Sequence, residues 1–330
     1  MNQVRLLQHR THEGRRSVII ADGDAAVFLS GVESTHALAL IALAERKSLF
    51  EVANARRTEV PVDLQAELAA RTLLPAIDHP DTARILLTGT GLTHLGSAEG
   101  RDAMHQAAAA GQQTDSMRLF LEGVEGGRPA AGKIGAQPEW FYKGDGQSLV
   151  APEAPFLSPD FAQNAGEEPE LAGIYLIDGD SQPWRLGFAL ANEFSDHVTE
   201  RHNYLWLAHS KLRQASLGAE LLIGYPPPDI QGTSRIRRGQ QVIWEKPFLT
   251  GEANMAHSIA NLEYHHFKYE AFRRPGDVHV HFFGTATLSF SDSIVTQAGD
   301  IFEIEAAPFT LPLRNSLSIA PAVPFQVGAL

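Results

Sequence analysis

Four residues with chemistry-bearing side chains stand at two informative spacings: Glu168 and Glu170, then Glu193, then Lys211. In an extended segment alternate side chains share a face, so Glu168 and Glu170 emerge on one side. Two carboxylates at close range repel unless a cation lies between them. A third carboxylate, Glu193 in Asn192-Glu193-Phe194-Ser195, would complete an all-oxygen site for a hard divalent ion, Mg²⁺ first and Ca²⁺ or Mn²⁺ next. Glu-x-Glu alone is also the pattern of a solvated strand face, so the rest of the chain must decide.

Pro138-Glu139-Trp140-Phe141-Tyr142-Lys143 sets an acid and a lysine four apart around an aromatic triplet. If extended, Glu139 and Lys143 face the same way. Burial would raise the glutamate's pKa and lower the lysine's, the conditions for proton transfer near neutrality. The alternative is an i, i+4 ion pair on a surface helix. His94 and Glu99 follow the glycines of Gly89-Thr90-Gly91 on what reads as a mobile loop and are candidates for a lid. A dinucleotide fingerprint fails there, because His94 stands where the third glycine belongs. Thr285, after Gly284 at a strand end, is placed to offer a hydroxyl and a backbone N–H to an anion.

Other chemistries have less support. His265-His266 and His279-Val280-His281 give two same-face nitrogens at most, so structural histidines are expected. There is no Gly-x-Ser-x-Gly elbow and no cysteine, which removes thiolate sites and disulfides. A net charge of −12 argues against nucleic acid or an anionic membrane as partner. The first ten residues lack the apolar core of a signal peptide, and a cytoplasmic protein is expected.

The elements that must position these residues fall in two parts. Residues 1–75 read as a small α/β module: a strand at Ser17–Ala21, a helix from Ser34 to about Ala53 and a shorter one within 61–72. Residues 76–330 read as a β-rich domain of short strands between Pro and Gly turns. Strands are expected at Arg84–Thr88, Gly173–Ile177, Pro183–Ala191, Glu220–Ile223, Gln241–Trp244, Val278–Phe283, Ala286–Phe290 and Ile301–Ala306. Helices are expected within 97–126, at Lys211–Ala215 and at His257–Ala271. The class is α+β, not a regular βαβ alternation.

In this order, Glu168-x-Glu170, Asn192-Glu193-Phe194-Ser195, Lys211, Pro275-Gly276-Asp277-Val278, Gly284-Thr285, Gly299-Asp300 and Pro312-Leu313-Arg314-Asn315 resemble the fumarylacetoacetate hydrolase superfamily. The resemblance runs from about Thr88 to Asn315. It implies a β-roll catalytic domain with a smaller N-terminal region and a Mg²⁺ or Mn²⁺ site at Glu168, Glu170 and Glu193. The family's usual Asp is here Glu193. The hydrolases pair His and Glu at His-x-x-Glu, whereas His94 and Glu99 are five apart. They also carry Ser-x-Arg-Asp-x-Gln where this chain has Ser195-Asp196-His197-Val198-Thr199-Glu200.

Pro138–Lys143 is similar to a segment of the 2-keto-3-deoxy-sugar-acid dehydratases, which implies Glu139 and Lys211 as proton-transfer groups. Lys143, Ser195 and Thr285 are then expected to contact substrate. The reading is a metal-dependent dehydratase of a small 2-keto acid, a 2-keto-3-deoxypentonate, giving 2-oxoglutarate semialdehyde in pentose catabolism. Its rivals are a C–C hydrolase or decarboxylase of an acylpyruvate-like diketone, and a non-catalytic sugar-acid-binding protein. A homodimer is expected.

Overall fold

The protein is described from a computed structural model covering residues 3–95 and 115–330. The strands, in chain order, are β1 Val4–Arg10, β2 Arg16–Asp22, β3 Ala25–Leu29, β4 Arg57–Pro61, β5 Ile85–Gly89, β6 Phe141–Asp145, β7 Leu149–Val150, β8 Phe156–Ser158, β9 Pro169–Ile177, β10 Pro183–Asn192, β11 Ala215–Leu217, β12 Glu220–Leu222, β13 Ile230–Arg238, β14 Gln241–Thr250, β15 Val278–Phe282, β16 Asp300–Ala306 and β17 Leu313–Ile319. The helices used below are α1 Thr35–Glu45, α2 Leu49–Asn54, α3 Leu64–Ala69, α4 Asp115–Gly126, α5 His197–His202, α6 Leu207–Lys211 and α7 Ile259–Phe267.

Two sheets form the frame. The larger runs β4-β3-β2-β1-β12-β10-β9-β15-β5-β6, with β11 and β7 alongside; the smaller runs β14-β13-β16-β17-β8. Most pairs are antiparallel, and β15–β5, β11–β7 and β17–β8 are parallel. The sheets meet through an apolar layer in which Leu171, Phe188, Leu190 and Leu222 of the first contact Ile230, Phe248, Ile304 and Leu313 of the second. Burial of that layer, at roughly 25 cal/mol per Å² of apolar surface, is what holds the two sheets in register. Residues 1–75 contribute β1–β4 and α1–α3, and β1 pairs with β12, so their sheet continues into that of the remaining chain.

The structure sharpens several sequence expectations. The helix expected from Ser34 to Ala53 is two helices: Arg46 turns into the left-handed region, with φ of 54°, and Ser48 starts α2 with a capping box to Glu51. Ala286–Phe290 is not a strand. The Ser289 N–H and hydroxyl both donate to the buried Glu167 carboxylate, and Thr285 accepts from the Thr287 N–H, so these groups are satisfied by side chains instead of a ladder. Lys211–Ala215 is not a helix either: α6 ends at Lys211 and Ala215 already pairs with β7. Of the helix expected within 97–126, α4 occupies Asp115–Gly126; the alanine run at 107–110 lies outside the described residues.

Candidate metal and acid–base site

The β9–β10 hairpin assembles the acidic trio. Antiparallel pairing sets Glu170 opposite Ala191 and Pro169 opposite Asn192, so the start of β9 meets the end of β10. The Glu193 N–H donates to the Glu168 carbonyl at 3.0 Å, and Asn192 Oδ1 accepts the Glu168 N–H at 3.2 Å. All three carboxylates are buried, and one oxygen from each lies within 4.8 Å of the others. Among the described residues this is the one such group of metal-ligating side chains.

Three buried carboxylates this close cannot all stay ionised without cations between them. Burial, then the charges of Glu168 and Glu193, push Glu170 well above the usual carboxylate range. Among the described residues its one hydrogen-bond donor is the Gly284 N–H at 2.6 Å. Burial also raises Glu193, with Glu168 adding to it and Lys143 and Lys211 opposing. For Glu168 burial works against ionisation, yet the Lys211 ammonium and His197 hold it well below the usual range. A dry, all-oxygen trio of like charges fits a hard divalent cation, with Glu168, Glu170 and Glu193 as its holders.

Two lysines brace the trio from different sides. Lys211 Nζ donates to Glu168 Oε1 at 2.5 Å, Glu193 Oε2 at 2.7 Å and Ser195 Oγ at 3.2 Å, with Glu200 at 3.9 Å. It is carried there because β11 pairs beside Asn192, which returns the chain to the end of β10. Burial would favour the neutral amine, but Glu168 and Glu193 dominate and keep Lys211 well above its ordinary value, hence charged.

Lys143 lies beneath. Its ammonium is sealed against Glu193 Oε1, the Phe194 carbonyl at 2.6 Å and the Lys211 carbonyl at 3.1 Å. Burial lowers its pKa despite Glu193. Its side chain has no exposed surface and braces Glu193 from behind.

Glu139 faces the same cluster. The alternation of β6 puts buried Phe141 and Lys143 on one side and exposed Tyr142 on the other. The Phe141 ring lies 5.0 Å below Lys211 Nζ, and Gly89 makes room for it, since a Cβ there would fall 2.4 Å from that ring. Burial raises Glu139 to about 7, with Lys211 pulling the other way. Its Oε1 is buried with no hydrogen-bond partner among the described residues.

Ser195 Oγ bonds to Glu193 as well as Lys211 and lies inside the cluster. Thr285 is half-buried next to Gly284, the residue that anchors Glu170. His94 is buried, with Nδ1 against Thr93 Oγ1 and Nε2 against Thr250 Oγ1, both at 3.1 Å; burial depresses it to about 3. Glu99 lies outside the described residues.

Sequence reasoning missed His197, whose Nε2 lies 3.1 Å from Glu168 Oε1, and Glu200 beside Lys211. Both belong to the run after Ser195 and sit on α5, capped by the Asp196 carboxylate. A lone turn of helix beside an acidic pair was the available signal.

No family model and no curated protein matches the chain. Solved structures do. A 2-keto-3-deoxy-D-arabinonate dehydratase in its apo form superposes with a TM-score of 0.67 at 18% identity, over 98% of this chain and 100% of that one. A structure of such a dehydratase complexed with magnesium and 2,5-dioxopentanoate gives 0.68 at 18%, with the same coverage. A 5-carboxymethyl-2-hydroxymuconate delta-isomerase from Mycobacterium smegmatis gives 0.56 at 17%, over 96% of this chain and all of that one. The fold is therefore fumarylacetoacetate-hydrolase-like, α+β, along nearly the whole chain. Among the described residues no helix is long and apolar enough to cross a membrane.

Proposed function

We propose that this chain is a divalent-metal-dependent hydro-lyase that removes water from a 2-keto-3-deoxypentonate. The observation that carries the reading is Glu139: a buried carboxyl poised near neutrality, facing a charged lysine beside three clustered carboxylates. The fold's likeness to a dehydratase complexed with magnesium and 2,5-dioxopentanoate supports it.

A divalent ion, when held by Glu168, Glu170 and Glu193, supplies Lewis-acid stabilisation of negative charge on a 2-keto acid. The remaining work falls to the chain. Glu139, near half-ionised at neutral pH, can take a proton from C3 and return it to the departing C4 hydroxyl, which leaves as water. A proton then moves from C5 to C3, and the C4–C5 enol tautomerises to the aldehyde of 2,5-dioxopentanoate. Lys211 is charged and so donates to developing oxyanion character instead of acting as base. Ser195 orients Lys211 and Glu193. The half-buried Thr285 offers its hydroxyl to the substrate carboxylate. The functional unit is a homodimer, its mass measurable by light scattering, and the place in metabolism is sugar-acid catabolism.

The test is product analysis by NMR on a panel of 2-keto-3-deoxypentonates with Mg²⁺. An aldehyde retaining all five carbons is expected. Pyruvate among the products would replace dehydration by carbon–carbon cleavage, and no turnover on any panel member would favour a binding protein.

A further inference from the structure

Three buried histidines take no part in the chemistry above, yet both backbone segments that meet at Glu139 are tied to them. His266 comes from α7; His279 and His281 come from one face of β15. The indole Nε1 of Trp140, the residue after Glu139, donates to His266 Nδ1 at 3.2 Å. An indole N–H can only donate, so His266 Nδ1 carries no proton and Nε2 does. That Nε2 lies 2.9 Å from His279 Nδ1 and donates to it. His279 is thereby fixed with its proton on Nε2, which has no partner among the described residues.

The second tie runs through His281. Its Nδ1 is 2.8 Å from Thr88 Oγ1, and its ring stacks on His266 with centroids 4.5 Å apart at 22°. Thr88 leads through Gly89 to Gly91, the residue whose backbone lies against the Glu139 carboxylate. Phe272 closes the cluster over Trp140 and His266, at 5.2 and 5.1 Å. Burial, with the neighbouring imidazoles, keeps His266 and His281 uncharged, and His279 is likewise held neutral by burial. Neutral rings are what a donor-to-acceptor chain starting from an indole requires.

We propose that His266, His279 and His281 are positioning residues for Glu139, clamping Trp140 on one side of it and Thr88–Gly91 on the other. No member touches the reacting atoms. The proposal rests on the reading of Glu139 given above, so its test includes a measurement that does not depend on turnover.

His266→Phe keeps the ring stack and deletes the acceptor; His266→Asn returns a polar acceptor near the Nδ1 position; Trp140→Phe removes the donor and is the milder change. The Glu139 carboxyl is titrated by infrared difference spectroscopy, its band identified by loss in Glu139→Gln. For His266→Phe and Trp140→Phe the titration is expected to move from near 7 toward the value of a solvated carboxyl. In parallel kcat should fall about tenfold to a hundredfold, the usual cost of a slight misplacement, with KM and Mg²⁺ affinity unchanged. His266→Asn should recover both readouts in part. A lower melting temperature with titration and kcat unmoved would overturn the proposal and leave a packing role. If the titration moves while wild type dehydrates nothing, positioning stands and the proposed reaction falls. An unmoved titration in a dehydrating enzyme gives the reverse.

Discussion

Gly91 has no room for a side chain because Glu139 fills the space: a Cβ at Gly91 would lie 1.6 Å from Glu139 Oε2. The glycine read as loop punctuation is thus one wall of the candidate acid–base site. Gly91→Ala must push the carboxyl away or shift the loop. We expect kcat to drop by about 10²-fold, as for a small misplacement of a reacting group. Mg²⁺ binding by calorimetry should be unchanged, because the trio is built on β9 and β10. Wild-type turnover in Gly91→Ala would show that contact with Gly91 does not hold the Glu139 carboxyl in its working position.

Metal binding should depend on the acidic trio and be opposed by Lys211. Glu170→Gln keeps volume and removes a ligand charge, so the rise in melting temperature on adding Mg²⁺ should vanish; for wild type that linkage is worth about 2.7 kcal/mol at a hundredfold excess over Kd. Lys211→Met should bind Mg²⁺ more tightly, since an ammonium bonded to Glu168 and Glu193 is lost. It should also lose about 10²–10³-fold in kcat, the usual cost of removing an oxyanion donor. Weaker binding by Lys211→Met would mean the lysine organises the ligands instead of competing for them.

Lys143 is expected to be a stability residue. Lys143→Met leaves the buried Glu193 carboxylate with Lys211 as its remaining cation, so the loss should stay below the about 3–5 kcal/mol of a fully unpaired buried charge. Adding Glu193→Gln removes the carboxylate that has lost a partner, so the double variant should be more stable than the single one in urea denaturation. Equal stability of the two would show that Glu193 is not what Lys143 supports.

The raised pKa of Glu139 also fixes a pH dependence. Its folded value, about 7, exceeds the ordinary 4.5, so the folded state holds this proton more tightly than the unfolded chain. The resulting stabilisation is complete below pH 4.5 and is lost as pH rises through 7, at up to about 1.4 kcal/mol per unit. Glu139→Gln abolishes this contribution. Measured in EDTA, wild type should therefore lose stability relative to the variant between pH 5 and 8. A constant difference would place Glu139 in water.

The sequence by itself determined which residues meet at β9 and β10. Strand alternation puts Glu168 and Glu170 on one face whatever the surroundings, and the apolar run from Leu171 to Ile177 makes that segment a strand. The same alternation carries Phe141 and Lys143 to one side of β6. What it could not determine is how these side chains are placed around the acidic trio. Lys143 and Lys211 are chemically alike; only the path of β11 past Asn192 puts one between Glu168 and Glu193 and seals the other beneath Glu193. The strand expected at Ala286–Phe290 failed for a related reason, because Glu167, more than a hundred residues earlier, captures Ser289. His266, His279 and His281 are separate motifs in the chain, and packing α7 on β15 is what joins them to Trp140 and Thr88. Spacing along a chain fixes faces, whereas burial and the partners that accompany it are properties of segments distant in sequence brought together.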